Sequence, residues 1–187
     1  MKRYKLLVVD DEKDILRTLT LTFEEDYEVF TARNGMEALS VLERQEIALI
    51  MADQRMPEMT GVELLQRSIH IRPHAIRIIL TGYTDTVALI QAINKGHIYQ
   101  YVTKPWDRQE LRVTVKRALD SYELLMENER LLAELRAANE QLRDENAFIK
   151  KELHKDLKFS EIIGHSSAMH RVFDLVNKVI DTPVTVL

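Results

Sequence analysis

No cysteine occurs among the 187 residues. Disulfide frameworks, thiolate zinc sites and cysteine nucleophiles are thereby excluded, and the cytoplasm is the expected compartment. Long apolar runs are missing as well. The first, Leu6 to Val9, gives way at once to Asp10 and Asp11, too soon for a signal peptide or a membrane span, so no membrane partner is expected. A net charge of -4 with no dense lysine and arginine cluster leaves no basic face to grip a phosphate backbone, so unaided DNA binding is not expected. Glycine and proline are scarce, five and four in the chain, and none falls between Asp107 and Asp156, which removes the usual helix breakers from that stretch. What is present, 45% hydrophobic residues, suffices for one ordinary core with an appendage.

Short apolar runs rich in β-branched residues alternate with longer stretches of helical period, the pattern of repeated strand-helix units around a parallel sheet. The expected strands are Tyr4 to Val9, Tyr27 to Thr31, Ile47 to Ala52, Ala75 to Thr81 and Ile98 to Val102. Amphipathic segments lie near Lys13 to Glu24, Asn34 to Arg44, Gly61 to His70 and Thr86 to Asn94, and a fifth begins near Asp107. This alternation predicts an α/β fold, a doubly wound five-stranded parallel sheet of flavodoxin-like order 2-1-3-4-5. In such sheets the chemistry collects at the carboxyl ends of the strands.

The fifth helix has no signal to stop. With Leu, Glu, Arg, Lys, Ala and Asn dominating as far as Asp156, one helix of roughly 70 Å is expected at about 1.5 Å per residue. A heptad register fits from Leu125. Position a holds Leu125, Leu132, Asn139, Asn146 and Leu153, and position d holds Asn128, Leu135, Leu142 and Ile149. Asparagine in such a core costs stability but selects register and low oligomer number, which points to a parallel homodimer. A solvated helix packed on its own domain is the alternative. After Phe159, Ile162-Ile163-Gly164 reads as a turn, Ser166 and Ser167 as caps, and Met169, Val172, Phe173, Val176 and Val179 as one apolar helix face. Thr182-Pro183 ends that helix, and Val184 to Leu187 reads as a strand with nothing to pair with, as in a domain cut short.

Asp10 and Asp11 end the first expected strand, and Asp53 ends the third. In a 2-1-3 order these ends are neighbours, so three carboxylates are expected in one crevice. Like charges crowd unfavourably there unless a cation intervenes, and hard oxygen ligands point to Mg²⁺. Taken singly, Asp10-Asp11 is a helix cap, Asp53 a loop residue, Lys104-Pro105 a turn and Thr81-Gly82 uninformative. Their coincidence at the carboxyl ends of strands one, three, four and five carries the weight.

These segments, Leu7-Val8-Val9-Asp10-Asp11-Glu12, Ala52 to Gly61, Ile79-Leu80-Thr81-Gly82-Tyr83 and Tyr101-Val102-Thr103-Lys104-Pro105, resemble the response-regulator receiver domain. The resemblance covers roughly the first 120 residues. It implies a switch that takes a phosphoryl group from the histidine of a cognate sensor kinase. Carried onto this chain, Asp53 is the acceptor, and Asp11 and Asp53 bind Mg²⁺ directly. Asp10 acts largely through water, and the Arg55 main-chain carbonyl completes the set. Lys104 neutralises charge on the transferring oxygens, and Thr81 and Tyr101 are the switch pair. Arg55 and Tyr83 are large residues at positions where they hinder the hydrolytic water, so slow autodephosphorylation is expected.

Residues 159–187, from Phe159-Ser160-Glu161-Ile162-Ile163-Gly164 onward, look like the truncated start of the AAA+ domain of sigma-54-dependent, nitrogen-regulator-class activators. The implied organisation is a receiver at 1–120, a coiled-coil linker at 121–158 continuous with the fifth helix, and this start at 159–187. The homodimer would form through the linker and the receiver surface, while sigma-54 RNA polymerase, ATP and DNA would be met only by downstream domains. No Gly-x-x-x-x-Gly-Lys-Ser/Thr occurs here, so the chain itself is not expected to be an enzyme beyond self-phosphorylation and autodephosphorylation. Two rivals remain. One is a receiver controlling a fused cyclic-dinucleotide phosphodiesterase or cyclase. The other is a haloacid-dehalogenase-type phosphatase, disfavoured because its two aspartates stand two residues apart on the first strand, whereas Asp10 and Asp11 are adjacent. His70 with His74, and His165 with His170, read as surface histidines rather than metal ligands.

Overall fold

The computed structural model describes residues 3–82, 98–156 and 166–180. In chain order its elements are β1 (Lys5–Val9), α1 (Lys13–Phe23), β2 (Glu28–Ala32), α2 (Gly35–Arg44), β3 (Leu49–Asp53), α3 (Gly61–Ile71), β4 (Ile76–Thr81), β5 (Gln100–Thr103), α4 (Arg108–Asp156) and α5 (Ser167–Ile180). The helical segment expected at Thr86 to Asn94, the Ile162 to Gly164 turn and the strand expected at Val184 to Leu187 lie outside the described residues.

The sheet is parallel throughout, with the expected order β2-β1-β3-β4-β5. Residues of β1 alternate between two cores because successive side chains leave a strand on opposite faces. Leu7 and Val9 join Ala38 and Leu42 of α2 and Leu64 and Leu65 of α3. Leu6 and Val8 join Leu16, Leu19 and Phe23 of α1 and Leu111, Val115, Ala118 and Leu119 of α4. A parallel sheet covered on both faces in this way needs near-continuous apolar strands, and β3 is buried from end to end. Asp53 is itself the last ladder residue of β3, paired with Leu80, where a strand ending at Ala52 was expected.

Two compact units divide the chain, Met1–Leu131 and Leu132–Leu187. In the first, Arg112 of α4 bonds Asp26 beyond α1 at 2.6 Å, and the Tyr4 and Tyr122 rings meet edge to face at 5.9 Å. In the second, α4 presents Leu135, Leu142 and Ile149 more than half exposed. Asn139 and Asn146 turn their amides back onto the Leu135 and Leu142 carbonyls at 3.1 and 2.9 Å. Ser166 caps α5, accepting the Met169 amide at 3.3 Å. Among the described residues no helix is long and apolar enough to cross a membrane.

Candidate functional site

The carboxyl ends of β1, β3, β4 and β5 deliver one residue each to a shared rim. Asp10, just past β1, is fully buried, and Asp53 and Thr81 are almost so. Lys104 follows β5, and its amide donates to the Thr81 carbonyl at 2.7 Å, tying the last two strand ends together. The Lys104 ammonium stands 2.8 Å from Asp10 Oδ2 and 2.5 Å from Asp53 Oδ1. The remaining carboxylate oxygens are also met. Asp10 Oδ1 accepts the Glu12 amide at 2.9 Å, and Asp53 Oδ2 accepts the Arg55 amide at 2.7 Å. The Thr81 hydroxyl donates to the Gly82 carbonyl at 3.0 Å.

Burial pushes the Asp10 carboxyl up, and the charge of Asp53 adds to the rise against the bonds from Lys104 and the Glu12 amide. Burial alone would lower the Lys104 ammonium, but its bonds to Asp10 and Asp53 outweigh that, and it is raised. Two buried carboxylates facing one ammonium leave one negative charge in excess. The Asp10 and Asp53 carboxylate oxygens are of the type a hard divalent cation takes. By charge and ligand type these residues fit Mg²⁺.

Asp11 is exposed. Among the described residues no three acidic or histidine side chains gather closely enough to hold a metal ion. The expected convergence of Asp10, Asp11 and Asp53 thus takes the form of two carboxylates closed on Lys104. Tyr101 is 44% exposed, its ring outside the core. Tyr83 lies outside the described residues. His74 pairs with Glu129 at 3.4 Å, and the His170 ring lies 3.2 Å from the Ser166 carbonyl. Two residues have roles that spacing does not reveal. A Cβ on Gly61 would stand 2.3 Å from the Asp53 carbonyl oxygen, so only glycine lets α3 start this close to the strand end. Gln54 bonds that same helix start through its main chain and its side chain.

Residues 6–116 match the response regulator receiver domain family. The hydrogenase transcriptional regulatory protein HoxA of Bradyrhizobium diazoefficiens is 35% identical over 97% of this chain and 38% of its own length. This chain thus spans about two fifths of that relative. The sporulation initiation phosphotransferase F of Bacillus subtilis is 33% identical over 64% of this chain and 96% of its own. Among solved structures, a chain described as adenylate cyclase from Rhodopirellula baltica superposes with a TM-score of 0.68 and 31% identity, covering 70% of this chain and 98% of that one. With the sheet order, the strand-end carboxylates and the lysine already in place, the family match over residues 6–116 identifies the chain as a member of the response regulator receiver domain family.

Proposed function

We propose that this chain is the receiver part of a two-component response regulator in which Asp53 accepts a phosphoryl group from a sensor histidine kinase. The group then controls a sigma-54-dependent transcription activator through dimerisation. Receiver domains in general accept phosphoryl groups rather than catalyse turnover on other molecules, and they generally bind Mg²⁺ in the acidic pocket. The observation that carries the reading here is the buried Asp53 carboxylate closed on Lys104 beside Asp10.

A carboxylate is a weak nucleophile toward phosphorus, so the protein must position it and stabilise charge on the transferring oxygens. One Asp53 oxygen attacks phosphorus while the bond to the kinase histidine breaks and its electron pair returns to the imidazole nitrogen. Lys104, already against Asp53 Oδ1, compensates charge on the incoming group. Thr81 can exchange its bond to the Gly82 carbonyl for one to a phosphoryl oxygen, drawing the end of β4 inward beside Tyr101. With Asp11 turned in from solvent, Asp11, Asp53 and the Arg55 carbonyl would hold Mg²⁺ directly and Asp10 largely through water, and the ion would supply charge neutralisation at the transferring oxygens when bound.

Likeness to the hydrogenase regulator runs through 97% of the chain, past the receiver, and this supports a transcription activator as the output. In this reading the homodimer forms through α4 and the receiver surface in the cytoplasm. Polymerase, ATP and DNA are contacted by domains downstream.

Acetyl phosphate with Mg²⁺ should add one phosphoryl group to the chain, read by intact mass. Asp53→Asn should take none. Equal labelling of both forms would refute the assignment.

A further inference from the structure

The opening amides of α3 are shared between two residues. Glu63 N donates to Thr60 Oγ1 at 3.3 Å and Leu64 N to the Thr60 carbonyl at 3.0 Å. A cap of this kind leaves the first two amides of the helix without protein partners. Here both go to Gln54. Gly61 N donates to the Gln54 main-chain carbonyl at 3.1 Å, and Val62 N donates to Gln54 Oε1 at 3.2 Å. On its other side the Gln54 amide donates to the Leu80 carbonyl of β4 at 2.9 Å.

Gln54 therefore stands between Asp53 and Arg55 with bonds to a strand on one side and a helix on the other. The loop it closes holds Glu58 at φ 67, a left-handed backbone position, and the Met59 amide donates back to the Pro57 carbonyl at 2.8 Å. Because Gln54 accepts the first two α3 amides, the electropositive helix end is already compensated. Charge on Asp53 is left to Lys104 and the Arg55 amide.

We propose that Gln54 is a positioning residue for phosphoryl transfer. Its side-chain oxygen clamps the amino end of α3 to the strand end and thereby fixes the Asp53-to-Arg55 turn, including the main chain of Arg55 that would contribute a carbonyl to Mg²⁺. This rests on the reading of Asp53 as acceptor. An apolar side chain of the same length leaves the Val62 amide unmet, and a shorter amide does not reach it. Glutamate keeps the acceptor.

Trp106 is the only tryptophan and lies two residues beyond Lys104, so its fluorescence can report metal binding in the full chain. Mg²⁺ titrations of wild type, Gln54→Met, Gln54→Asn and Gln54→Glu should be run beside acetyl phosphate kinetics. Gln54→Met and Gln54→Asn should raise the Mg²⁺ half-saturation about fivefold in both readouts, the scale of one lost hydrogen bond, with the limiting rate at saturating Mg²⁺ kept within about twofold. Gln54→Glu should bind Mg²⁺ no more weakly than wild type. If the methionine form does not fold, the asparagine form carries the same comparison. An unchanged half-saturation in the folded variants, or equal weakening by Gln54→Glu, overturns the clamp. A wild-type chain that takes no phosphoryl group overturns the Asp53 reading, and the clamp with it.

Discussion

Asp10 is fully buried, and its carboxyl is raised above the ordinary aspartate range, chiefly by burial. The folded chain therefore holds that proton more readily than the unfolded chain does. The associated stability is complete below the unfolded value of about 3.9 and is lost as pH rises through the folded value. Asp10→Asn should accordingly raise Tm at pH 7 and have little effect near pH 3.5, as thermal denaturation at the two pH values will show. Lys104, raised by its two carboxylate partners, works in the alkaline direction, its contribution lasting until pH passes its folded value above about 10.4. Lys104→Met should cost about 2 kcal/mol in urea denaturation at pH 7, because two buried carboxylates lose their partner. Asp10, Asp53, Thr81 and Lys104 were legible in the sequence because distinctive side chains fall at strand ends. The roles of Gln54 and Gly61 were not, because their partners are the Val62 amide and the Asp53 carbonyl, main-chain atoms that leave no trace in residue type.

At the scale of elements, the approach of α3 to β3 is set by Gly61. Gly61→Ala puts a methyl group 2.3 Å from a main-chain oxygen, so the helix start must move. The expected cost is about 1–3 kcal/mol by denaturant titration, with slower labelling by acetyl phosphate because the Asp53 turn moves too. The long helix carries two apolar stripes in succession. Leu111, Val115, Ala118 and Leu119 face the sheet, and the run through Leu135, Leu142 and Ile149 is exposed. If the proposed homodimer forms through this stripe, Leu135→Asp with Leu142→Asp should abolish self-association in sedimentation equilibrium while leaving Tm and acetyl-phosphate labelling as in wild type. The strands were readable from their β-branched runs and the helix from its lack of breakers. Their ends were less so, since hydrogen bonds fix them: the pairing with Leu80 makes Asp53 the last strand residue.

At the largest scale, that of the Met1–Leu131 unit, the base of the sheet is braced while the opposite rim carries the candidate site. Arg77 is buried in β4 and donates to Ser68 Oγ at 2.9 Å and to the Leu65, Arg72, Pro73 and Ala75 carbonyls at 3.3, 2.5, 3.3 and 2.6 Å. Burial pushes its guanidinium down to about 10, which leaves it charged at neutral pH. These bonds hold the carboxyl end of α3 and the start of β4, so a change at Thr81 is free to act at the other end of the strand. Turning a dimer equilibrium from almost all off to almost all on takes about 5.5 kcal/mol of differential stabilisation. An acyl phosphate with its charge-assisted bonds can supply much of that. If the two events are coupled, beryllofluoride with Mg²⁺ will shift the dimer constant, and an identical constant with and without it would uncouple them. The most direct measurement lies upstream of that coupling. Borohydride trapping of the acetyl-phosphate-treated chain, followed by peptide mass mapping, should find Asp53 converted to homoserine and every other carboxylate intact. Conversion at Asp10 or Asp11, or at no position while Mg²⁺ and acetyl phosphate are present, would contradict Asp53 as the acceptor.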